Sequence, residues 1–497
     1  MTATKVQALR AAIIASLPLD SSLHGRPPSK QEIYIPLSHV KALRLECSLV
    51  IGGRGVGKTF WSAALRSEET RKLIGGSVPD LSAVEVASGY GEAPDLDAYP
   101  DDHVFPKLLD GGFEAYHIWR AVLGRWLAGI ISQSIPCETW DKTVEWVRNE
   151  PEQFGRLLER ANSELQSRAI HGLIVFDAID RLSSDWWTMD TIVRDLLRVL
   201  LSMKPFRHLH GKAFLREDQF SRRVTDFPDA SKLLPSRVDL TWGPEDLHGL
   251  LWQYLVNGPN ANGELLRIVA EDFVQKSDEV WTLNDRVKRD DRGQQSLFPS
   301  LPITKRDEEV QKSLFAALAG EWMGRDRRRG IPYVWSVGHL ADGRGRTSPR
   351  SFLAAIRVAA EDSLQRYPDH PYPLHYESIK RGVQKASEIR VAELAEDHPW
   401  VPALMEPLKG LTVPCAFDVI EDRWRHRLGE SPTKDLFEKL PPAHYEEGWK
   451  GVRRDLESLG ILETMKDERV NMADLYRVGF GLGRMGGVKP VSKNTGL

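Results

Sequence analysis

Cysteine is nearly absent from this chain: Cys47, Cys137 and Cys415 are the three in 497 residues, and they lie too far apart for a metal-ligand spacing. No disulfide framework can form from them, which fits a reducing compartment and makes the cytoplasm the expected location. No apolar run approaches the roughly 20 residues that a membrane-spanning helix needs, so neither a transmembrane segment nor a membrane partner is expected. The stretch Ala11-Ala12-Ile13-Ile14-Ala15 has helical periodicity and no cleavage site after it, which favours an amphipathic helix over a secretory leader. An excess of positive charge is lacking as well, since 67 Lys and Arg stand against 70 Asp and Glu for a formal net charge of −3. Any contact with nucleic acid must therefore come from a local basic surface. There is no repeat of solenoid period, no zinc spacing among the 14 histidines, and no Gly-x-Ser-x-Gly elbow or Cys–His pair. Solenoid binding, zinc chemistry and acyl-transfer chemistry have no residues to carry them.

What is present begins with composition. Charged residues make up 28% and hydrophobic ones 41%, the balance of a globular chain, and the length suggests about three domains. The most informative segment is Gly52-Gly53-Arg54-Gly55-Val56-Gly57-Lys58-Thr59. It is entered from the apolar run Ser48-Leu49-Val50-Ile51 and left through Phe60-Trp61-Ser62-Ala63-Ala64-Leu65. That is the full spacing of a phosphate-binding loop between a strand and a helix. Its glycines let backbone N–H groups through Phe60 converge on phosphates, Lys58 brings a point charge to the β and γ groups, and the Thr59 hydroxyl can ligate Mg²⁺. The positive end of the following helix adds to the same field.

A magnesium-nucleotide site needs a carboxylate near Thr59. The run Gly172-Leu173-Ile174-Val175-Phe176-Asp177 reads as a buried parallel strand that delivers Asp177 at its carboxyl end. The plainer alternative for Asp177 is a helix cap. Asp180, three residues on, could face a γ-phosphate, pair with Arg181 or cap a helix. A helix through Met189 to Met203 and a second strand, His210 to Arg216, follow. This alternation argues for a doubly wound α/β core with a parallel sheet, which binds ligands at its carboxyl edge.

Four segments are expected: an N-terminal helical part at 1–40, able to lie over a nucleotide base; a nucleotide-binding core at 41–260; a helical lid at 261–375; and a C-terminal module at 376–497. The core is interrupted by a mostly helical insertion at about 75–165, whose Trp119, Trp126, Trp140 and Trp146 read as packing residues. Residues 284–312 read as an exposed polar loop, with a helix resuming at Glu309. Short helices are expected after Pro371-Tyr372-Pro373, and Trp449 to Tyr476 reads as a helix, a turn at Gly460 and a β-wing.

The phosphate loop, the Asp177 strand with Asp180-Arg181 after it, and Leu215-Arg216 together resemble the AAA+ and STAND (KAP-like) branch of P-loop NTPases, over about residues 40–260. The resemblance implies an ATPase with ATP and Mg²⁺ as cofactors, acting as a conformational switch in a homo-oligomer or with a protein partner. It also implies a bacterial setting such as a DNA-associated or anti-phage defence complex. Ala178 stands where members usually place a second acidic residue, which implies slow hydrolysis. Adenine is preferred on the same likeness, with no Asn-Lys-x-Asp motif present to read guanine. Arg216 resembles a sensor-1 position; its alternative is an ion pair with Glu217 or Asp218. Gly343 to Ile356 resembles the start of a sensor-2 helix, in which Arg350 would contact the γ-phosphate. An arginine in a first helical turn gains nothing from the helix dipole, so that contact is one explanation and a solvated or carboxylate-paired arginine is the other. Catalytic candidates are therefore Asp177, Asp180, Arg216 and Arg350, and the metal candidates are Thr59 and Asp177.

The C-terminal module looks like a winged helix. Lys450, Arg453 and Arg454 on its helix, with Lys466 and Arg469 on the wing, would reach the phosphates of double-stranded DNA. Glu446, Glu447, Asp455, Glu457, Asp467 and Glu468 nearly neutralise the same region, so a protein-contact module is the equal alternative. Arg325, Arg327, Arg328 and Arg329 form the densest basic cluster, and Arg484, Lys489 and Lys493 make the tail positive. Either group could neutralise phosphates or be a solvated surface. Two readings stand beside the switch: a signalling or scaffold NTPase that binds only proteins, and a P-loop kinase acting on a small molecule.

Overall fold

The computed structural model describes residues 2–18, 25–29, 32–183, 185–220, 223–259, 262–266, 268–269, 308–437, 441–484 and 488–490. The expected loop at 284–312 lies outside them as far as residue 307, and so does Lys493. The described chain forms two units. One holds residues 22–30 and 35–241, the other residues 1–21, 31–34 and 242–497.

The first unit is α/β, as the sequence implies. Its five parallel strands are β1 (Leu49–Gly52), β2 (Val84–Tyr90), β3 (His171–Phe176), β4 (Leu209–Arg216) and β5 (Arg237–Asp239), in the order β2-β3-β4-β1-β5. β1 and β3 are built from continuous apolar runs because both faces of the sheet are covered. Leu49, Ile51, Ile174, Phe176, Ala213 and Leu215 share one core with the helices Ala115–Ile130, Pro151–Ser167 and Trp186–Met203. Val50, Leu173, Val175 and Phe214 alternate to the other face. There the helix Lys58–Arg66 crosses β1 through β4 and buries Trp61, Ala63, Ala64 and Leu65. Trp61 Nε1 donates to His39 Nδ1 at 3.0 Å, and His39 Nε2 then donates to Thr241 O at 3.0 Å. Burial holds His39 neutral, with its pKa lowered to about 4.

The expected helical insertion at 75–165 contains a strand that the sequence reading missed. β2 runs along the sheet edge, parallel to β3, with Val84 opposite His171 and Tyr90 opposite Phe176. Val84-Glu85-Val86-Ala87-Ser88 is only half buried, so it lacks the long apolar run that marks β3. The rest of the insertion is helical, and Trp119, Trp126 and Trp140 pack in the unit's core as read.

The second unit is helical, with one continuous core. The boundary falls at 241/242, ahead of residue 260, because the helix Pro244–Val256 buries Leu247, Leu251, Trp252 and Leu255 in that helical core. The segments read as lid and C-terminal module share it. After Pro373 comes not a short helix but a 22-residue one, Tyr376–Asp397, packed on Pro349–Arg366 and on Asp474–Phe480. The N-terminal helix Ala3–Ser16 lies against Pro349–Arg366, burying Val6, Leu9, Ala12 and Ile13. The two helices exchange arginines. Arg10, with no exposed surface, donates to Tyr367 O, Pro368 O, Tyr372 O and Pro373 O beyond the end of Pro349–Arg366. Arg357 in turn donates to Ile14 O and Leu17 O at the end of Ala3–Ser16. Each helix terminus thus receives a cation from its neighbour, which satisfies carbonyls that the helix itself cannot.

Near the C-terminus, Trp449–Ser458 ends at Gly460, whose φ of 69° is the left-handed stop expected there. The antiparallel hairpin β6 (Leu462–Thr464) and β7 (Val470–Met472) follows, and Val470 also bridges to Cys415. Three arginines here are matched locally. Arg453 meets Glu457 at 2.9 Å, Arg454 meets Glu447 at 2.7 Å, and Arg469 meets Asp467 at 2.8 Å.

Candidate functional site

The site is built at the carboxyl ends of β1, β3 and β4. β1 stops at Gly52, and Gly55 and Gly57, at φ of 77° and 103°, turn the chain into the helix that starts at Lys58. Both values lie where a side chain would be strained, which is the physical reason for glycine at these positions. Lys58 Nζ folds back on its own loop and donates to Gly52 O at 2.9 Å and Gly53 O at 2.7 Å. Burial, and then the nearby Arg216 charge, lower its pKa to about 8, against the pull of Asp177, Asp180 and Asp218. The ammonium is thus a charge short of partners, held by two carbonyls that a phosphate could replace.

Asp177 follows β3 and is 2% exposed. The Thr59 hydroxyl and the Ala178 N–H lie close enough to favour its charged form, while Oδ2 is buried with no hydrogen-bond donor among the described residues. Burial raises its pKa to about 6, with Lys58 pulling the other way. Such an orphaned buried oxygen is costly unless something binds it. An oxygen-seeking divalent cation fits it: Thr59 Oγ1 and Asp177 are hard oxygen donors brought to the same sheet edge. Ala178, in the left-handed region at φ 57°, turns the chain directly after that carboxylate.

Arg216 is the last residue of β4 and stands opposite Gly52 in the β1 register. Its guanidinium donates to both oxygens of Asp218, at 3.1 and 2.7 Å, and lies 3.7 Å from Asp180 Oδ2. The ion pair considered for Arg216 therefore forms with Asp218. Asp180 faces Arg216, while Arg181 goes to Glu92 at 3.6 Å. Sequence reasoning missed Gln219, whose Oε1 accepts from the Arg216 N–H at 2.8 Å. The available signal was a strand-terminal arginine followed at once by Glu217-Asp218-Gln219.

One unit thus brings together Lys58, Thr59, Asp177, Asp180 and Arg216 with the loop Gly52, Gly53, Arg54, Gly55, Val56, Gly57 and Phe60. Arg350 belongs to the helical unit. It sits in the first turn of Pro349–Arg366 after the capping Ser348, and donates to Glu393 Oε1 at 2.7 Å. Glu393 Oε2 also takes Arg390 at 3.3 Å. A carboxylate partner is therefore what offsets an arginine beside a helix N-terminus. Among the described residues no group of His, Cys, Asp or Glu is arranged as an all-protein metal site, and no helix is long and apolar enough to cross a membrane.

No family model matches this chain, and no curated protein does. Among solved structures it is similar to the ORC2 protein of Aeropyrum pernix, solved as ADPNP–ADP complexes. That match has 13% identity and a TM-score of 0.32, over 93% of each chain. It is also similar to Cdc6p from Pyrobaculum aerophilum, at 11% identity and a TM-score of 0.33, over 93% of this chain and 95% of that one. Identities and scores this low carry no argument, and the geometry of the site stands by itself.

Proposed function

We infer that the chain binds ATP with Mg²⁺ at the Lys58–Thr59–Asp177 site and works as a slow, nucleotide-dependent conformational switch. The observation that carries this reading is the convergence of a retracted Lys58, Thr59 and the orphaned Asp177 Oδ2 at one sheet edge. In this reading Lys58 leaves the Gly52 and Gly53 carbonyls for the β- and γ-phosphates, and the loop N–H groups cradle the chain of phosphates. Bound Mg²⁺ would neutralise phosphate charge, held by Thr59 Oγ1 and Asp177. Arg216, positioned by Asp218, supplies positive charge toward a γ-phosphate, and Asp180 orients it or the attacking water. The protonation of Asp177 gives the test. Its folded pKa of about 6 lies above the ordinary 3.8, so the proton is bound more tightly in the folded chain between those values. Stability from this group is lost as pH rises through that window. Asp177→Asn is therefore expected to raise the melting temperature at pH 7.5 and yet to remove Mg²⁺-dependent ATP binding. In the unaltered protein that binding should weaken about tenfold per pH unit below 6 as the carboxyl takes its proton. Calorimetric titration with and without Mg²⁺ from pH 5 to 8 reads this; a flat profile removes Asp177 from the metal.

The role of Arg350 is part of the same proposal, and there it must release Glu393 to answer a γ-phosphate. A protein partner, or a second copy of the chain, is the favoured recipient of the switch, because Glu457, Glu447 and Asp467 already hold Arg453, Arg454 and Arg469 of the wing module. Sedimentation of the full chain with ATP, with and without duplex DNA, tests both points. Assembly should require ATP and be lost in Arg350→Ala with ATP affinity within about threefold of the unaltered value. Equal assembly in that variant removes the assignment. Duplex association that falls steeply with salt would move the module to nucleic acid.

A further inference from the structure

The opposite edge of the sheet carries a cleft that nucleotide chemistry leaves unused. Its volume is about 310 Å³, at the lower end of the range of small-ligand pockets. Every lining residue precedes a strand. Lys41, Arg44 and Cys47 lead into β1, Lys204 stands between Trp186–Met203 and β4, and Lys232, Pro235 and Ser236 lead into β5. The strands are parallel, so the cleft lies at their amino ends and the phosphate loop at their carboxyl ends.

Four cations and one carboxylate, Glu46, line this cleft in a chain whose net charge is −3. Lys232 is engaged by Asp229 at 2.9 Å, but among the described residues Lys41 and Arg44 have no carboxylate partner. Lys204 is partly desolvated, which lowers its pKa. Under the cleft lies a fifth cation. Lys212, on β4 with no exposed surface, donates to Ala42 O at 2.6 Å, Arg44 O at 2.9 Å and Cys47 O. Carbonyl dipoles solvate that ammonium without cancelling its charge, and its pKa of about 8 keeps it mostly protonated at neutral pH. Cations gathered around a concavity repel one another, and an anion set among them removes that cost. Cys47 and Pro235 add less polar surface to the lining.

We propose that this cleft is a second anion site, which binds the phosphate group of a small organic phosphate through Arg44, Lys41 and Lys204. The phosphate sits at the cationic rim and the carbon part on the Cys47–Pro235 wall. Glu46 interrupts the rim, which disfavours a continuous phosphate backbone and favours a free small molecule.

Inorganic pyrophosphate titrated calorimetrically into the full chain is the test. The unaltered protein should take two equivalents, one at the phosphate loop and one at the cleft. Lys58→Ala should keep the cleft site. Arg44→Glu with Lys204→Glu should keep the loop site and weaken the other at least tenfold. The alanine pair Lys41→Ala with Lys204→Ala changes only exposed side chains and gives the same reading if charge reversal disturbs folding. Loss of all pyrophosphate binding in Lys58→Ala, or two unchanged equivalents in both cleft variants, overturns the proposal. In the Lys58→Ala background, a short duplex that displaces pyrophosphate would assign the cleft to nucleic-acid phosphate and overturn the small-molecule assignment.

Discussion

Lys58→Ala is expected to weaken ATP binding by about 10²–10³-fold with the fold intact. Two charge-assisted hydrogen bonds from an ammonium to phosphate oxygens are worth about 1.5–3 kcal/mol each, or about 3–4 kcal/mol together after the two loop carbonyls are given up. The apo protein should not suffer in parallel. Its folded pKa of about 8, below the ordinary 10.5, means that the protonated amine is less comfortable in the folded chain than in the unfolded one. The unfolded chain binds more protons between those values, so stability rises with pH across that window, and at neutral pH the ammonium is a cost. Removing it should leave the melting temperature at pH 7.5 unchanged or higher. Isothermal titration with Mg-ATP beside a thermal melt separates the effects. Undiminished ATP affinity in a folded variant would end the nucleotide reading, and a collapsed melting curve would instead show that the Gly52 and Gly53 carbonyls depend on the amine.

The second large effect is structural. Arg10→Ala should destabilise the helical unit by about 3–5 kcal/mol, because it strands the carbonyls of Pro368, Tyr372 and Pro373 and leaves Tyr367 O with the His370 N–H alone. Arg10→Lys should recover less than half of the loss: one ammonium is a point donor, and the guanidinium fork spans directions that it cannot. Hydrogen exchange resolved by segment is the suitable readout, since a chain of two units need not unfold in one step. Protection should fall in Ala3–Ser16 and Pro349–Arg366 together and hold in β1, β3 and β4. Unchanged protection in both helices would show that apolar packing, not the arginine exchange, joins them.

Legibility from the sequence followed burial. β1 and β3 are covered on both faces, so their apolar runs announce them, and the residues at their ends, Lys58, Thr59 and Asp177, could be placed before any coordinates. The helix, stop and hairpin after Trp449 were readable for a similar reason: periodicity, a glycine and alternation each leave a local mark. β2 was not, since a half-exposed edge strand with Glu85 and Ser88 looks like loop. Arg10 and Lys212 were silent because their partners are backbone carbonyls, which every residue has, so nothing in the sequence points to them. Arg350 was noticed as an anomaly of helix electrostatics, but its partner Glu393 sits 43 residues away on another helix, where no spacing rule reaches.

The strand order has a consequence for synthesis of the chain. β1 lies between β4 and β5, so Leu49 finds its neighbours only at Ala213 and Arg237. While the intervening residues are still being made, β1 has both hydrogen-bonding edges open and its phosphate loop has no scaffold. On the ribosome that aggregation-prone apolar segment therefore waits for nearly the whole first unit to emerge, and the nucleotide site comes into being late and all at once.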